Sequence, residues 1–454
     1  MQNLSIGGLK TYFREGKTRG LTFRKEQLRL LLKLVTSYEA RLLEALYKDL
    51  GKSPFESYAT EIGLLREEIK RHLKNLDHWA RPQYVSTPLA AFPASSHIEH
   101  MPYGVSLIIS PWNYPVQLAL LPLVGAISAG NCVVIKPSEY SSQTAAALDE
   151  MINTNFDPDY IRLVQGDAAT SKQLLEEPFD FIFFTGSTRV GQEVMKTAAK
   201  QLIPLVLELG GKSPCVVDQS AKIELAARRI IWGKTINAGQ TCIAPDYVLV
   251  HEQVCDSLVE AMKKEIKRQW GNAPVTNDEY PKIIGKPQFE RLQQLLKGQN
   301  IIAGGSANPQ SLKMEPTLIA AASLSETVMQ EEIFGPILPL IPFTETNQAL
   351  EIIHKNPKPL AMYIFSTNKT FVRQIKSNVL SGGVTINDTI MHFTNAGLPF
   401  GGSGSSGFGS YHGKHSFDAF SHRRSVMKRA NWLDIWLRYP PFNSKLSLLK
   451  KIIH

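Results

Sequence analysis

Cysteine is scarce in this chain, and its four cysteines are widely separated. Cys132, Cys215, Cys242 and Cys255 form no C-x-x-C pair, so their spacing predicts neither a disulfide framework nor a zinc site. The first residues also lack the basic and apolar segments of a secretory signal. These absences favour a cytoplasmic protein with reduced thiols, and the sequence offers no metal-ligand cluster.

Long apolar runs are absent as well. The longest, 118–129, is interrupted by Pro122 and is shorter than the roughly 20 residues that a membrane-spanning helix needs. The chain has 454 residues, 43% of them hydrophobic, which is enough to bury large cores over about three domains. The composition therefore predicts a folded globular protein and excludes fibrous and disordered classes.

The net charge of +9 is concentrated near one end of the chain. Residues 423–454 contain eight Lys or Arg against one acid, Asp434, so the rest of the chain is almost neutral. A nucleic-acid-binding protein would spread its positive charge over one face of the folded domain. We therefore expect no nucleic-acid partner.

Two amphipathic helices are predicted in the first eighty residues. Leucines recur at helical spacing from Leu28 to Leu46 and define the first helix. The second is predicted to begin at residues 53–56, which match a capping box with proline at the first helical position. It is predicted to end before Arg81, which precedes a proline.

From residue 104 onward, short apolar runs alternate with helical stretches. The runs that predict strands are 105–110, 132–136, 161–164, 181–184, 205–207, 215–217, 247–250 and 337–341. Such alternation is typical of α/β folds with doubly wound parallel sheets, whose strands are buried on both faces. A second α/β stretch begins near Gly210, so we expect two domains of this class with a cleft between them.

The segment 237–245 carries one candidate nucleophile, Cys242. Gly239, Gln240 and Thr241 precede it and form a polar approach, which favours a loop tip facing a cleft. A nucleophilic cysteine must be partly exposed, with its thiolate favoured electrostatically. The alternative is a cysteine buried in the core.

Glu208 interrupts an apolar strand just before Gly210 and Gly211, which allow the backbone to turn closely behind it. Desolvation at such a position would raise the pKa of the carboxyl towards neutrality, which suits a general base that takes a proton from water. The alternative is a glutamate in a salt bridge at a strand end.

A third segment, 184–191, follows a strand and opens a helix. Ser187 can cap this helix, whose free N–H groups would attract a pyrophosphate. At the end of another strand, Lys136, Ser138 and Glu139 could reach a ribose. The G-x-G-x-x-G fingerprint is absent, so a standard Rossmann phosphate loop is not predicted.

Together these segments resemble the aldehyde dehydrogenase superfamily along the whole chain. The matching motifs, in the family's order, are Pro111 to Pro115, Lys136 to Glu139, Phe184 to Ser187, Leu207 to Gly211, Gly239 to Cys242 and Glu331 to Pro336. The stretches 242–247 and 411–417, with the short N-terminus, are most similar to the class 3 branch, which acts on fatty and aromatic aldehydes.

The resemblance implies roles for individual residues. Cys242 would be the nucleophile, Glu208 the general base and Asn113 the oxyanion donor. The residues implied in cofactor binding are Lys136, Ser138, Glu139, Gly186, Ser187, Val190, Glu332 and Phe334. The implied cofactor is NAD, because Glu139 should repel a 2′-phosphate, and NADP is left open because class 3 relatives often accept it.

The resemblance also implies an activity and a domain arrangement. Aldehydes, medium- or long-chain or aromatic, would be oxidised to acids through a thioester by a homodimer. The implied division is a cofactor domain of variant Rossmann type (1–80 and 101–209), a catalytic domain (210–405) and small oligomerisation or bridging segments (81–100 and 406–430). A coenzyme A-acylating dehydrogenase and a non-catalytic binding protein of the same fold are the alternatives.

The remaining segment, 431–454, is a basic tail. Trp432, Leu433, Trp436 and Leu437 fall at helical spacing, and further apolar residues lie among lysines between 445 and 453. This pattern is compatible with peripheral contact with an anionic membrane. Packing of the tail on the body or on a dimer partner is the alternative.

Overall fold

The computed structural model describes residues 5–320, 324–443 and 445–452. Within these ranges the strands, β1 to β18, are Gln83–Val85, Ala94–Pro102, Val105–Ile109, Cys132–Lys136, Ile161–Leu163, Phe181–Thr185, Leu205–Glu208, Pro214–Val217, Tyr247–His251, Ile301–Ala303, Ala307–Asn308, Lys313–Met314, Thr317–Ala320, Ile337–Phe343, Ala361–Phe365, Gly383–Ile386, Gly407–Phe408 and Ser421–Arg429.

The α-helices of the same ranges, α1 to α17, are Ile6–Arg14, Leu21–Ser37, Glu39–Leu50, Pro54–Ser57, Gly63–Trp79, Pro115–Ala129, Ser142–Asn153, Ala168–Glu176, Thr188–Lys200, Ile223–Thr235, Cys255–Trp270, Lys286–Leu296, Thr327–Gln330, Thr346–Lys355, Lys369–Asn378, Lys414–Ala419 and Lys445–Ile452. A π-helical turn, Tyr58–Ile62, joins α4 to α5.

Two large sheets organise the chain. The first has the order β17-β7-β6-β3-β4-β5 and is parallel except for β17. The second has the order β10-β13-β14-β9-β8-β15-β16 and is parallel except for β10. The predicted α/β class with two parallel sheets is confirmed, and all eight predicted strands are present.

The strands are buried because their sequences carry no polar alternation. All five residues of β4, Cys132–Lys136, are buried, as are all five of β3 and of β6. Helices pack on both faces of a parallel sheet, so side chains on either side of such a strand are removed from water. This burial fixes the positions of the loops that leave the strand ends.

A third, smaller sheet joins two distant parts of the chain. It has the order β1-β2-β18, and β18 pairs with β2 along nine residues, from Ser421 opposite Pro102 to Arg429 opposite Ala94. Most side chains of β1 and β18 are exposed.

The prediction of two helices in the first eighty residues is wrong. An additional helix, α1, precedes them, and the leucine run is divided at Tyr38 into α2 and α3. Tyr38 has φ −93° and ψ 2°, which is outside the helical region. Leucines of both helices pack into the same core, so their periodicity continues across the break and hides it.

Half of the predicted capping box is present. Ser53 Oγ accepts the N–H of Glu56 at 3.2 Å, and Pro54 is the first helical residue. The Glu56 carboxylate does not return to the Ser53 backbone. It accepts the N–H of Asn237 at 2.7 Å instead, so a residue predicted to cap a helix is used in a tertiary contact.

The tail differs from its predicted helical spacing in one part. Around Trp432 and Trp436 the structure has only a short 3-10 turn, Trp436–Arg438, and the helix of the tail is α17. Ile453 lies outside the described residues. Among the helices of the described ranges, none is both long enough and apolar enough to cross a membrane.

Gly130, which ends α6, gives a test of the core. It has φ +95°, and a Cβ there would lie 2.7 Å from the buried Arg24 guanidinium. Arg24 donates to the carbonyls of Thr18 and Ser128. Gly130→Ala should therefore cost about 1–2 kcal/mol for the left-handed backbone and about 1–3 kcal/mol for crowding, read from the midpoint of urea unfolding.

Gly16→Ala is the matched control for this prediction. Gly16 also has positive φ, but a Cβ there would lie no closer than 3.6 Å to its nearest neighbour, Arg19 Cδ, so only the backbone cost applies. Equal shifts for the two variants would show that Arg24 does not constrain this helix end.

Candidate active site

The site lies where the two large sheets approach each other. The carboxyl ends of β3, β4, β6 and β7 meet the loops that precede the amino ends of β9 and β14. A cavity of about 1010 Å³ opens there, and Cys242 and Glu208 both line it. Its aromatic and aliphatic walls include Trp232, Ile236, Ile390, Met391, Phe393, Phe400 and Tyr411.

A left-handed turn places Cys242 in this cavity. Asn237 and Ala238 have φ values of 50° and 51°, and Gly239 follows with 74°. Residues other than glycine adopt this region rarely and at a cost, so the surrounding structure must hold the turn. A Cβ on Gly239 would also collide with the carbonyl of Gly335.

Hydrogen bonds tie this turn to the loop that carries Asn113. Asn113 is 2% exposed, and its Nδ2 donates to the carbonyl of Gln240 at 3.0 Å. In return, Asn237 Nδ2 donates to the carbonyl of Asn113 at 2.7 Å. Next to them, the hydroxyls of Tyr114 and Thr241 lie 2.6 Å apart. The predicted oxyanion donor and the predicted nucleophile therefore lie on two loops that are hydrogen-bonded to each other.

Glu208 is 2% exposed at the end of β7. Neither of its carboxyl oxygens has a hydrogen-bond partner within the described part of the chain. Burial raises the pKa of this carboxyl well above its ordinary value, in the direction that the sequence predicts for a general base. Gly407 of the antiparallel strand β17 is paired directly with Glu208 of β7.

The Cys242 side chain is half-buried, but its predicted electrostatic stabilisation as a thiolate is not observed. Burial raises the pKa of the thiol, and the Glu332 and Glu208 carboxyls raise it further. The backbone N–H groups of Cys242 and Ile243 lower it, and their effect is smaller. Burial and the two nearby carboxyls therefore favour the thiol over the thiolate.

The three residues predicted to reach a ribose lie together at the end of β4. Lys136 is 2% exposed, and its Nζ donates to the carbonyl of Pro137 at 3.0 Å and to Glu139 at 3.3 Å. Ser138 Oγ accepts the N–H of Tyr140 at 3.3 Å. Glu139 itself is exposed, so its carboxylate can meet a ligand from solvent.

The start of α9 has the predicted cap. Ser187 Oγ accepts the N–H of Val190 at 3.4 Å, and both residues are exposed. Gly186 donates its N–H to the carbonyl of Glu208 at 3.0 Å. A Cβ on Gly186 would lie 2.6 Å from the ring of Phe184, so the backbone passes closely over that ring.

Glu332 lies beside Gly210, and Phe334 packs against Trp112. A Cβ on Gly210 would collide with the Glu332 carboxyl. Burial raises the pKa of Glu332 to about 8, and its Oε1 is buried without a hydrogen-bond partner among the residues described. Phe334 has φ 51°, and its ring meets that of Trp112 edge to face at 5.3 Å.

These groups fit a nicotinamide dinucleotide. An ammonium, a hydroxyl and a carboxylate at the end of β4 match the hydroxyls of a ribose. The capped start of α9 offers N–H groups to a pyrophosphate. The unpartnered Oε1 of Glu332 is an acceptor that a second ribose would satisfy.

Several residues of the site are not evident from the sequence. Glu56 lines the cavity, yet its sequence position indicates only a helix cap. Asn237 carries a hydrogen-bond network, although a buried asparagine gives no pattern of its own. Trp112, inside the motif that carries Asn113, could have been found there, because an aromatic residue beside a candidate oxyanion donor suggests a packing role.

Known proteins resemble this chain along most of its length. The profile of the aldehyde dehydrogenase family matches residues 10–426. The 4,4'-diaponeurosporen-aldehyde dehydrogenase of Staphylococcus aureus is 44% identical over 97% of this chain and 96% of its own length. Aldehyde dehydrogenase family 3 member H1 of Arabidopsis thaliana is 42% identical over 98% of this chain and 93% of its own.

Solved structures agree as well. The substrate-bound state of Staphylococcus aureus AldH superposes with a TM-score of 0.97 at 43% identity, covering 99% of this chain and 98% of that one. Betaine aldehyde dehydrogenase from Staphylococcus aureus in complex with NAD+ gives a TM-score of 0.84 at 25% identity, covering 95% of this chain and 88% of that one.

The chain belongs to the aldehyde dehydrogenase family. Within the family it falls in the class 3 branch, to which its relatives of 42–44% identity from plants and animals belong. It is an NAD(P)-dependent enzyme that oxidises aldehydes.

The raised pKa of Cys242 gives a test in the absence of cofactor. The alkylation rate of Cys242 should still rise with pH above about 8.5, where an unperturbed thiol is half ionised, because only the thiolate reacts. Peptide mass spectrometry after timed iodoacetamide treatment measures this rate. The half-buried Cys255, whose thiol pKa is also raised, is the internal control and should level off at lower pH. A plateau for Cys242 below pH 8 would contradict the assigned environment.

Proposed function

We propose that this enzyme converts aldehydes to carboxylic acids through a thioester on Cys242, with Glu208 as the general base for hydrolysis. One observation carries the proposal. Cys242 and an unpartnered, buried carboxyl line the same cavity, which is mainly apolar. A carboxyl without a structural partner in such a place is costly, and a catalytic use explains its presence.

Cys242 attacks the aldehyde carbon through its sulfur after the thiol proton passes to water. Asn113 Nδ2 has two hydrogens, one of which is donated to Gln240, so the second is free to meet the oxyanion of the thiohemiacetal. The backbone N–H of Cys242 is the other proposed donor. Loss of one oxyanion donor typically slows a reaction by a factor of about 10² to 10³.

Glu208 then takes a proton from the water that attacks the thioester. Its buried position raises the pKa of the carboxyl, so the base becomes competent as pH rises. A coenzyme A-acylating enzyme would need no such base, and Glu208 beside Cys242 therefore favours hydrolysis over acyl transfer to a thiol. A non-catalytic binding protein would not need a nucleophile or an oxyanion donor, so the presence of both Cys242 and Asn113 disfavours that alternative.

A bound nicotinamide cofactor would supply the hydride acceptor that oxidation of the thiohemiacetal requires. We assign Lys136, Ser138 and Glu139 to the adenosine ribose, and the start of α9, with Gly186, Ser187 and Val190, to the pyrophosphate. Glu332 and Phe334 would hold the nicotinamide side. We accordingly assign the domain built around the first sheet as the cofactor domain and the domain built around the second sheet as the catalytic domain.

The cavity supports medium- to long-chain or aromatic aldehydes as substrates. Its walls are aromatic and aliphatic from the Cys242 turn outward to Trp232 and Met391, which are exposed at its outer part. An apolar chain gains about 0.8 kcal/mol for each buried methylene. A series of kcat/KM values over aldehyde chain length measures this preference, which would be refuted by equal values for all lengths.

The third sheet supports a homodimer. Tyr84, Val85 and Met427 expose large apolar surfaces on β1 and β18, and such exposed groups often mark an interface. Sedimentation velocity of the purified protein measures the assembly, and a monomer at all concentrations would refute it.

We also propose a cytoplasmic enzyme whose tail makes peripheral contact with a membrane. Trp432, Trp436 and Phe442 are 75%, 64% and 63% exposed, and α17 carries exposed Leu446 with Lys450 and further basic residues. The residues that line the cavity fall between positions 53 and 411, so the tail does not contribute to its walls and can contact another surface. Exposed aromatic rings beside lysines suit an anionic membrane interface.

Glu208→Gln should separate the two halves of the reaction. The variant keeps the shape of the side chain but has no base, so NADH should appear in a burst of about one per active site before a slow steady state. Rapid-mixing absorbance records both phases. Cys242→Ala is the control and should give neither phase. Wild-type steady-state turnover in Glu208→Gln would place the base elsewhere.

Removal of the tail should release the protein from anionic membranes. Each basic residue near an anionic surface contributes about 1 kcal/mol, so the full chain should sediment with anionic liposomes at low salt. A variant that ends at Pro441 should remain in the supernatant, and neutral liposomes are the control. If the full chain also remains in the supernatant with anionic liposomes, the tail is not a tether.

A further inference from the structure

Residues 52–62, here called the clamp segment, contain two buried glutamates that no step above uses. The segment consists of α4, the π-helical turn and the residues just before them. Glu56 is 9% exposed and Glu61 is fully buried. Buried carboxyls are uncommon unless they are paired, so the partners of these two residues indicate what the segment does.

Glu61 holds the loop that carries the proposed oxyanion donor. It forms an ion pair with the buried Lys52. Its other oxygen accepts the N–H groups of Val116 at 2.9 Å and Gln117 at 3.2 Å, at the start of α6. Asn113 lies just before this helix, so the carboxylate fixes the point from which the Asn113 loop departs.

Glu56 holds the turn that carries the proposed nucleophile. It accepts the N–H of Asn237 at 2.7 Å, and both residues are buried. Asn237 is the first of the residues with left-handed backbone before Cys242. A carboxylate bound to this N–H stabilises a turn that would otherwise be strained.

The π-helical turn explains how one short segment reaches both loops. In an α-helix, residues five apart point about 140° away from each other. Tyr58–Ile62 instead has i→i+5 hydrogen bonds, which bring residues five apart towards the same face. Glu61 lies in this turn and Glu56 lies two residues before it in α4, and their hydrogen bonds to Asn237 and to the start of α6 show that both face the loops of the site.

We propose that Glu56 is a positioning residue that sets the distance between Cys242 and Asn113 by holding the Asn237 turn to the clamp segment. This inference rests on the roles proposed above for Cys242 and Asn113. Glu56 acts through the Asn237 backbone, and Asn237 in turn binds the carbonyl of Asn113.

Burial is the largest effect on the Glu56 carboxyl and raises its pKa to about 7. Lys52 and the N–H of Asn237 lower this pKa, and Glu61 raises it. Tyr114 and Tyr280 are titratable groups of other elements that lie near this carboxyl. The hydrogen bond needs only an acceptor oxygen, which a protonated carboxyl and an amide also possess. Positioning therefore predicts that glutamine can replace Glu56.

The experiment compares Glu56→Ala with Glu56→Gln in the full chain. Glu56→Ala should lower kcat about 100-fold, since a displacement near 1 Å can have that effect, with the Kd of NAD unchanged. Glu56→Gln should stay within about fivefold of the wild-type kcat, because a neutral acceptor forms a hydrogen bond of roughly half the strength. The alkylation rate of Cys242 should change in the alanine variant only.

Asp218→Ala is the matched control for lost stability. Asp218 is also a buried carboxylate that accepts a backbone N–H, from Ser220. It follows the carboxyl end of β8, whereas Cys242 precedes the amino end of the neighbouring strand β9. Its variant should share any loss in Tm and keep its kcat.

Two outcomes would overturn the proposal. If Glu56→Ala behaves like Asp218→Ala, the hydrogen bond to Asn237 does not position the nucleophile. If Glu56→Gln loses as much kcat as Glu56→Ala, the carboxyl acts as an acid or base instead. Turnover by Cys242→Ala would instead contradict the proposed function itself. The Glu56 variants keep Cys242, so their results cannot be mistaken for that outcome.

Discussion

The hydrogen bond from Asn237 to the carbonyl of Asn113 joins loops that leave two different sheets. One loop follows the carboxyl end of β3, and the other precedes the amino end of β9. The left-handed backbone at Asn237 and Ala238 persists because this contact, with those of Gln240 and Glu56, over-determines it. The sulfur and the buried carboxyls can face one cavity only while this junction holds.

A second constraint is that the site is desolvated before any ligand enters. Burial raises the pKa of Cys242, Glu208 and Glu332 alike, so each of these acids favours its neutral form. Keeping them neutral avoids the large cost of unpaired buried charge. Cys242 and Glu208 must therefore lose their protons before they can act in the proposed reaction. Alkaline conditions favour both attack by sulfur and hydrolysis.

Much of the fold was predictable from the sequence because buried parallel strands leave a local signal. The run Cys132–Lys136 is apolar throughout, and the structure has it as β4. The helix break at Tyr38 left no such signal, since leucines on both sides pack into one core. Glu56 was misassigned for a related reason. A glutamate suits a helix cap and also a tertiary hydrogen bond as the acceptor. Only the position of the Asn237 N–H shows that Glu56 has the second role.

The sequence by itself determined the α/β class and, by resemblance to a family, the candidate residues Cys242, Glu208 and Asn113. Local composition is enough to predict a strand, and short motifs are enough to indicate a family, because both depend only on residues that are close together in the sequence. The tertiary structure alone decided which groups share a cavity, the raised pKa of the Cys242 thiol and the contacts of Glu56. These properties depend on desolvation and on contacts between residues more than a hundred positions apart, which no local pattern encodes.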